Sequence, residues 1–256
     1  MNYLVSAYSD VGIEKENNQD SLLVQVASCS LGRIMFSVVC DGMGGLAKGE
    51  LASATLIREF SFWFQNDLPK ILEAGLTKER LARSWQDIVE NANKNIAAYG
   101  QRQGIQLGTT VVALLIVGGQ YYLMNIGDSR AYLLRSKVTQ LTKDQTYVQR
   151  EIDQGRMTPA EARVHPNRNV LLQCVGASEY IEPDFYTGEV FLDDVFLLCS
   201  DGFRHVLTEE EMFNNLHGMI LQTEQDIAEK CKHLTELVKY RKETDNISVI
   251  VTKVIV

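Results

Sequence analysis

Met35-Phe36-Ser37-Val38-Val39-Cys40-Asp41-Gly42 is a short apolar run that passes without a break into Asp-Gly. Its Val, Phe and Cys content and its abrupt stop at a turn-forming pair predict a strand. The arrangement returns at Val195-Phe196-Leu197-Leu198-Cys199-Ser200, which runs into Asp201-Gly202, and at Tyr121-Tyr122-Leu123-Met124-Asn125-Ile126-Gly127, which runs into Asp128. At other strand ends the order is reversed: Asp245-Asn246 opens residues 247–251, and Asn17-Asn18-Gln19-Asp20 opens residues 21–26. A single Asp-Gly after a strand is explained by a turn, because Asp bonds to local backbone and Gly accepts positive φ. Five aspartates at strand ends across the whole chain ask for more. Strands that end in Asp and strands that begin after one can be neighbours, so that the carboxylates meet at one rim of the sheets. Left alone they would repel strongly at short range, and a cation is needed to hold them together. With oxygen ligands and no histidine or cysteine in the set, Mg²⁺ or Mn²⁺ is favoured over zinc. Such sites suit phosphoryl chemistry.

Outward from these runs, residues 3–8, 21–27 and 33–40 predict three N-terminal strands. Two helices follow, one over about residues 47–66 and one after the cap Thr77 with Leu81, Trp85, Ile88, Ala92 and Ile96 on one face. Trp63 and Trp85 fall on the apolar stripes and are expected in the core. Residues 109–141 return to strands, with Gly118-Gly119 as a tight turn between two of them. The segment 144–175 is polar and mixed. Within it Thr158-Pro159-Ala160-Glu161 has the spacing of a capping box with proline at the first helical position. Strands are expected again over 185–190 and 195–199. A capped helix should start at Thr208-Glu209-Glu210-Glu211, and a longer one carries Ile227, Cys231, Leu234 and Val238 on one face; residues 246–255 form a last strand. Strands, helices, strands, helices, strand is the order of an α+β layered domain rather than a doubly wound one. No repeat and no linker-like stretch divides it.

Composition narrows the function. The 256 residues carry a formal net charge of −8, with a sequence pI near 5.1. A duplex-binding protein needs a basic footprint to replace phosphate counterions, so nucleic acid is not an expected partner. The longest apolar run, residues 111–117, is far short of the roughly 20 that a membrane span requires. The N-terminus has no basic flank followed by an apolar core, so no signal peptide is expected. The five cysteines (29, 40, 174, 199 and 231) are widely spaced and never form Cys-x-x-Cys, which fits neither a zinc site nor a disulfide framework. Cys40 and Cys199 read as buried thiols, and a reducing cytoplasm is the expected compartment.

The ordered motifs resemble those of the metal-dependent (PPM) serine/threonine protein phosphatases of type 2C, in their compact bacterial form. Ser9-Asp10-Val11-Gly12 with Asn17-Asn18-Gln19-Asp20 resembles the first motif and Asp41-Gly42-Met43-Gly44-Gly45 the metal motif. Gly108-Thr109-Thr110, Asn125-Ile126-Gly127-Asp128-Ser129-Arg130, Leu141-Thr142-Lys143-Asp144, Cys199-Ser200-Asp201-Gly202-Phe203 and Thr244-Asp245-Asn246-Ile247-Ser248 follow in family order. The resemblance implies a four-layer α-β-β-α sandwich, two packed and mainly antiparallel sheets flanked by helices, in a single catalytic domain over residues 1–256. It implies that Asp41 bridges two Mn²⁺ or Mg²⁺ ions, that the Gly42 carbonyl binds one, and that Asp201 and Asp245 bind the other. Asp20 would act through metal-bound water, and Asp128 with Asp201 matches a third, weaker metal site. Residues 144–175 match the flap beside the active site that bears on substrate choice.

The activity implied is hydrolysis of phosphoserine and phosphothreonine in proteins, opposing a bacterial Ser/Thr kinase, by a cytoplasmic monomer. The chemistry is coherent without the name. Phosphate monoesters hydrolyse very slowly, so a large barrier reduction is required. Two cations about 3.5–4 Å apart can hold a bridging water, lower its pKa and offset phosphoryl charge during in-line attack. No phosphoenzyme nucleophile is needed, in keeping with the lack of a convincing nucleophile motif.

Three positions depart from the family pattern. Lys15 stands where an arginine normally grips the substrate phosphate, keeping the charge but losing the bidentate fork. Gln19 replaces a glutamate and is expected to accept from metal-bound water. Met43 stands where animal relatives have a histidine and is read as packing. His165 reads as a surface residue of the flap, and Arg130 as an ion-pair partner supporting the metal loops. Lys15 and Gln19 motivate a rival, a catalytically weak relative that binds phosphoproteins as a regulatory module; the intact aspartates oppose it. A metal-dependent nuclease would share the carboxylates but lacks a basic groove.

Overall fold

The computed structural model describes residues 1–44 and 48–256. Gly45 of the metal motif and Ala47, the expected start of the first helix, lie outside the described residues. The chain opens with β1 (Asn2–Asp10), β2 (Ser21–Cys29), β3 (Gly32–Cys40) and the short β4 (Gly42–Gly44), then α1 (Gly49–Asn66), α2 (Leu68–Glu73) and α3 (Lys78–Gln103). Five strands follow: β5 (Leu107–Thr109), β6 (Val111–Val117), β7 (Gln120–Ile126), β8 (Arg130–Leu134) and β9 (Val138–Gln140). The polar segment carries α4 (Tyr147–Asp153) and α5 (Pro159–Val164). The remainder is β10 (Asp184–Glu189), β11 (Val195–Cys199), α6 (Asp201–Arg204), α7 (Glu209–Leu216), α8 (Glu224–Tyr240) and β12 (Ile247–Ile255).

These strands build two five-stranded sheets, ordered β1-β12-β11-β8-β9 and β10-β7-β6-β3-β2, and a small β4-β5 ribbon. The pairings are antiparallel. Side-chain alternation makes the layers. On β3, Ile34, Phe36, Val38 and Cys40 pack with α1 and α3, while Met35 and Val39 face the other sheet. On β11, Val195, Leu197 and Cys199 pack under α6, α7 and α8, while Phe196 and Leu198 point inward against β3 and β6. Strands buried on both faces are apolar throughout, so these runs do not alternate with polar residues. The result is the expected helix, sheet, sheet, helix sandwich. Trp63 and Trp85 both lie in the helix-side core against Phe36, with ring centroids 5.3 and 5.9 Å from it.

The local signals hold where their chemistry is explicit. The Gly118-Gly119 turn has φ of 60° and 76°, a left-handed pair that suits a two-residue hairpin. Thr77 caps α3 through Arg80 N–H, and Thr158 and Thr208 each sit in a reciprocal capping box. We expect Thr208→Ala to lower the denaturation midpoint by an amount worth about 1 kcal/mol with m unchanged. A change in m, or no shift in the midpoint, would count against that cap. Thr146 caps α4 through Gln149 N–H in the same way, whereas the short α2, α6, β4 and β5 carry no comparable signal. Among the described residues, no helix is long and apolar enough to cross a membrane.

Candidate metal centre

Antiparallel pairing sets the end of one strand beside the start of its neighbour, and that register assembles the site. Ser21 pairs with Cys40, so Asp20 and Asp41 emerge side by side from β2 and β3. Cys199 pairs with Val249, and Ser200 N–H donates to the Ser248 carbonyl at 3.1 Å, so Asp201 emerges beside the Asp245-Asn246 end of β12. One buried side chain joins the two sheets at this rim. Asn246 accepts from Gln19 N–H at 2.9 Å through Oδ1 and donates through Nδ2 to the carbonyls of Val11 (2.9 Å) and Asn17 (3.1 Å).

The backbone of Asp41 is clamped from β5 and β6. Thr110 N–H and the Thr109 hydroxyl donate to its carbonyl at 2.9 and 3.0 Å, and its own N–H donates to Thr110 Oγ1 at 3.1 Å. Thr110 Oγ1 also shares a 2.7 Å hydrogen bond with Ser129, fixing the loop that carries Asp128. The glycines after Asp41 and Asp201 are required by space. A Cβ on Gly42 would lie 2.4 Å from the carbonyls of Gln19 and Gly49, and one on Gly202 would lie 2.2 Å from that of Asn246. Neither has positive φ; Gly42 opens β4 and Gly202 lies in α6, so these Asp-Gly pairs are close-packing positions rather than turns.

The field is strongly negative. Burial, followed by the charges of Asp20, Asp201, Asp128 and Asp245, holds the Asp41 carboxyl well above the ordinary aspartate range. Burial also pushes Asp20 up to about 7, with Asp201 and Asp245 adding to it. The hydroxyls of Ser248 and Ser200 pull Asp20 the other way, but neither is at hydrogen-bond geometry with it. Ser248 Oγ is shared with Ser9 at 2.7 Å, and Ser200 Oγ accepts from Ser248 N–H at 3.0 Å. Asp128 is likewise raised to about 7, by burial and by Asp201, with Arg204 opposing. Both oxygens of Asp20 and Oδ1 of Asp201 are buried with no hydrogen-bond partner. Buried carboxylate oxygens without donors are costly unless a cation faces them.

Among the described residues, no three His, Cys, Asp or Glu side chains close on a common point as a protein-only cage would require. A donor set of aspartates alone, with buried oxygens of Asp20 and Asp201 left unpartnered, fits a hard ion that keeps several waters, the habit of Mg²⁺, and does not fit tetrahedral zinc. The residues present therefore suit the hydrated divalent ions expected from the sequence.

Lys15 is placed at the centre, its Nζ 3.0 Å from Asp245 Oδ1 with both side chains partly exposed. Burial alone would lower its pKa, but Asp245, Asp41 and Asp201 outweigh that and raise it. Oriented so that its hydrogens meet acceptors, the Gln19 amide donates to the Gly42 carbonyl (3.2 Å) and accepts from Gly49 N–H (3.3 Å). Both ends of the amide are thus engaged by backbone, which leaves one lone pair of its oxygen for any further donor. Arg130 makes a bidentate pair with Asp144, both bonds 2.7 Å. His165 stacks on Tyr147 within the 144–175 segment.

Sequence reading misses four residues that structure places around the centre: Asn246, Arg204, His205 and Glu243. His205 lies between Asp201 (3.5 Å) and Glu243 (3.4 Å). Burial would lower its pKa, and those two carboxylates raise it above the usual histidine value. The available signal is position: Arg204-His205 directly follows the Asp201-Gly202-Phe203 motif, so one helical turn carries both cations toward the carboxylates.

Comparison with known proteins agrees with this geometry. Residues 13–239 match the family model described as Protein phosphatase 2C. The chain is 34% identical over 253 residues to the serine/threonine protein phosphatase PstP of Mycobacterium tuberculosis, covering 98% of this chain but 45% of that protein's length. It is 31% identical over 249 residues to the protein phosphatase PhpP of Streptococcus pneumoniae, covering 96% of this chain and 95% of that protein. The solved structure of the PstP catalytic domain in complex with two manganese ions superimposes with a TM-score of 0.78 at 32% identity, over 99% of each chain. With the motifs in order, the same sandwich and a family match over most of its length, the chain belongs to the protein phosphatase 2C family.

Proposed function

We propose that residues 1–256 form one catalytic domain that hydrolyses phosphoserine and phosphothreonine esters in proteins with two Mn²⁺ or Mg²⁺ ions. The observation that carries this reading is the meeting of Asp20, Asp41, Asp201 and Asp245 from two sheets at one rim, with buried oxygens of Asp20 and Asp201 unpartnered. Asp41, Asp201, Asp245 and the Gly42 carbonyl would hold the ions, and Asp20 would orient their water from its buried position. When bound, such a pair lowers the pKa of a shared water and offsets charge on the phosphoryl oxygens. Lys15 steers the phosphate toward the centre, and Asn246 keeps the two halves of the ligand set in register. The segment 144–175 acts as a flap, and its polar surface makes it the place where protein substrates are told apart.

All of these carboxylates come from one chain, so a monomer suffices. The net charge of −8 disfavours nucleic acid, and the five aspartates favour catalysis over a phosphoprotein-binding module. A cytoplasmic enzyme opposing a Ser/Thr kinase is the setting that fits.

Phosphate release from a phosphothreonine peptide should appear with MnCl₂ and vanish in EDTA; no stimulation by metal would sink the reading. Lys15→Arg is expected to lower KM for a small phosphate ester several-fold, with kcat within about a factor of two, because the fork contacts two phosphate oxygens. An unchanged or raised KM would remove Lys15 from the phosphate site.

A further inference from the structure

Asp128 has a buried guanidinium of the chain's own set against it. Arg204 Nη2 lies 3.6 Å from Asp128 Oδ2, and both side chains are 10% exposed. The same nitrogen donates to the Asp128 carbonyl at 3.1 Å and stands 3.4 Å from Asp144 Oδ2. Asp144 is held by Arg130 as well, so Arg204 shares that carboxylate and is the guanidinium that also reaches Asp128. Arg204 closes the single turn of α6 that Asp201 opens, so the element presenting a ligand of the centre also fixes the guanidinium.

Resting on the two-ion reading above, we propose that Arg204 fills at Asp128 the place that the resemblance gives to a third metal ion, so that the centre holds two ions and a fixed guanidinium. A third cation would have to sit against Arg204 or push it aside. The first sets like charges together where little water screens them. The second costs a buried guanidinium, whose Nε already lacks a partner, its contacts with Asp128. Arginine suits the role, because it stays charged and its planar group spans a carbonyl and two carboxylates at once. Arg204 is a positioning residue here: it holds Asp128 and sets how many ions bind, without touching substrate.

Titrating the intact protein with Mn²⁺, by calorimetry and by electron paramagnetic resonance of the free ion, tests this. Wild-type protein should bind two ions, and Asp128→Asn should leave that number unchanged. Arg204→Met should gain a third ion at least about tenfold tighter than any further binding to wild type, and Arg204→Lys should return to two. A third ion in wild-type protein that Asp128→Asn removes would overturn the proposal, as would an Arg204→Met protein that still binds only two. Absence of the first two ions would instead overturn the reading on which it rests. Should Arg204→Met fail to fold, the wild-type and Asp128→Asn counts decide the matter.

Discussion

Asp41→Asn is expected to cut phosphate release from a phosphothreonine peptide on the order of 10³-fold in saturating MnCl₂, while raising the melting temperature in EDTA. The two effects have one cause. Asp41 carries a negative charge where burial and four other aspartates oppose it. With ions bound, that charge holds them; losing it removes several kcal/mol of transition-state stabilisation, at about 1.4 kcal/mol per factor of ten. Without ions burial and those neighbours oppose the charge, so the folded carboxyl must either bear the repulsion or take up a proton, and an isosteric neutral amide removes that cost. Thr109 and Thr110 bind the Asp41 backbone, not its side chain, so the substitution leaves the loop in place. A variant retaining activity within tenfold of wild type, or melting lower in EDTA, would show that Asp41 is not the electrostatic centre of the site.

The pH dependence without metal follows from Asp20. Its carboxyl is held at about 7 in the folded protein against 3.8 as the reference value. Above pH 7 the folded chain carries a charge it resists. Between 7 and 3.8 it takes up a proton that the unfolded chain does not, so stability rises on acidification, and below 3.8 the gain is complete. EDTA-treated protein should therefore melt higher at pH 6 than at pH 8. In MnCl₂ the order should reverse, because the ion requires ionised carboxylates. Equal melting temperatures at both pH values in EDTA would contradict the burial of Asp20.

Much of this was legible in the residues for a physical reason. Strands in the middle of a four-layer sandwich are apolar on both faces, so Met35 to Cys40 and Val195 to Cys199 announce themselves as runs. The aspartates terminate those runs, and antiparallel pairing brings opposite ends together. The threonine caps are equally local, each satisfied within three residues. What stayed hidden depends on partners far away in the chain. The bonds of Gln19 to the Gly42 and Gly49 backbone form only when folding brings those segments together. Arg204 and His205 could be read only as charges, since their partners Asp128, Asp144 and Glu243 are supplied by other loops. The β4-β5 ribbon is hidden because Gly42-Met43-Gly44 has no strand propensity and exists by pairing with residues 107–109.

Asn246 is the extreme case, and its substitution should have the largest effect on stability at the site. It is 4% exposed, and its three hydrogen bonds reach residues 227, 235 and 229 positions away. Asn246→Ala leaves Gln19 N–H and the carbonyls of Val11 and Asn17 without partners at the junction of the two sheets. At roughly 1 kcal/mol per lost bond, with more for each buried group left unpaired, the cost is about 3–4 kcal/mol. For a chain of this size that is a drop of about 8–12 °C in melting temperature. Activity should fall as well, since this side chain sets Asp20 on one sheet against Asp245 on the other. Asn246→Asp separates the two contributions: it keeps the acceptor for Gln19 but loses both donated bonds and adds a charge beside Asp245. We expect it to melt at least as low as Asn246→Ala in EDTA and to recover more in MnCl₂, because only the aspartate gains a charge that a bound cation can offset. A melting temperature within about 2 °C of wild type for Asn246→Ala would mean that the sheets are held in register at this rim by packing alone.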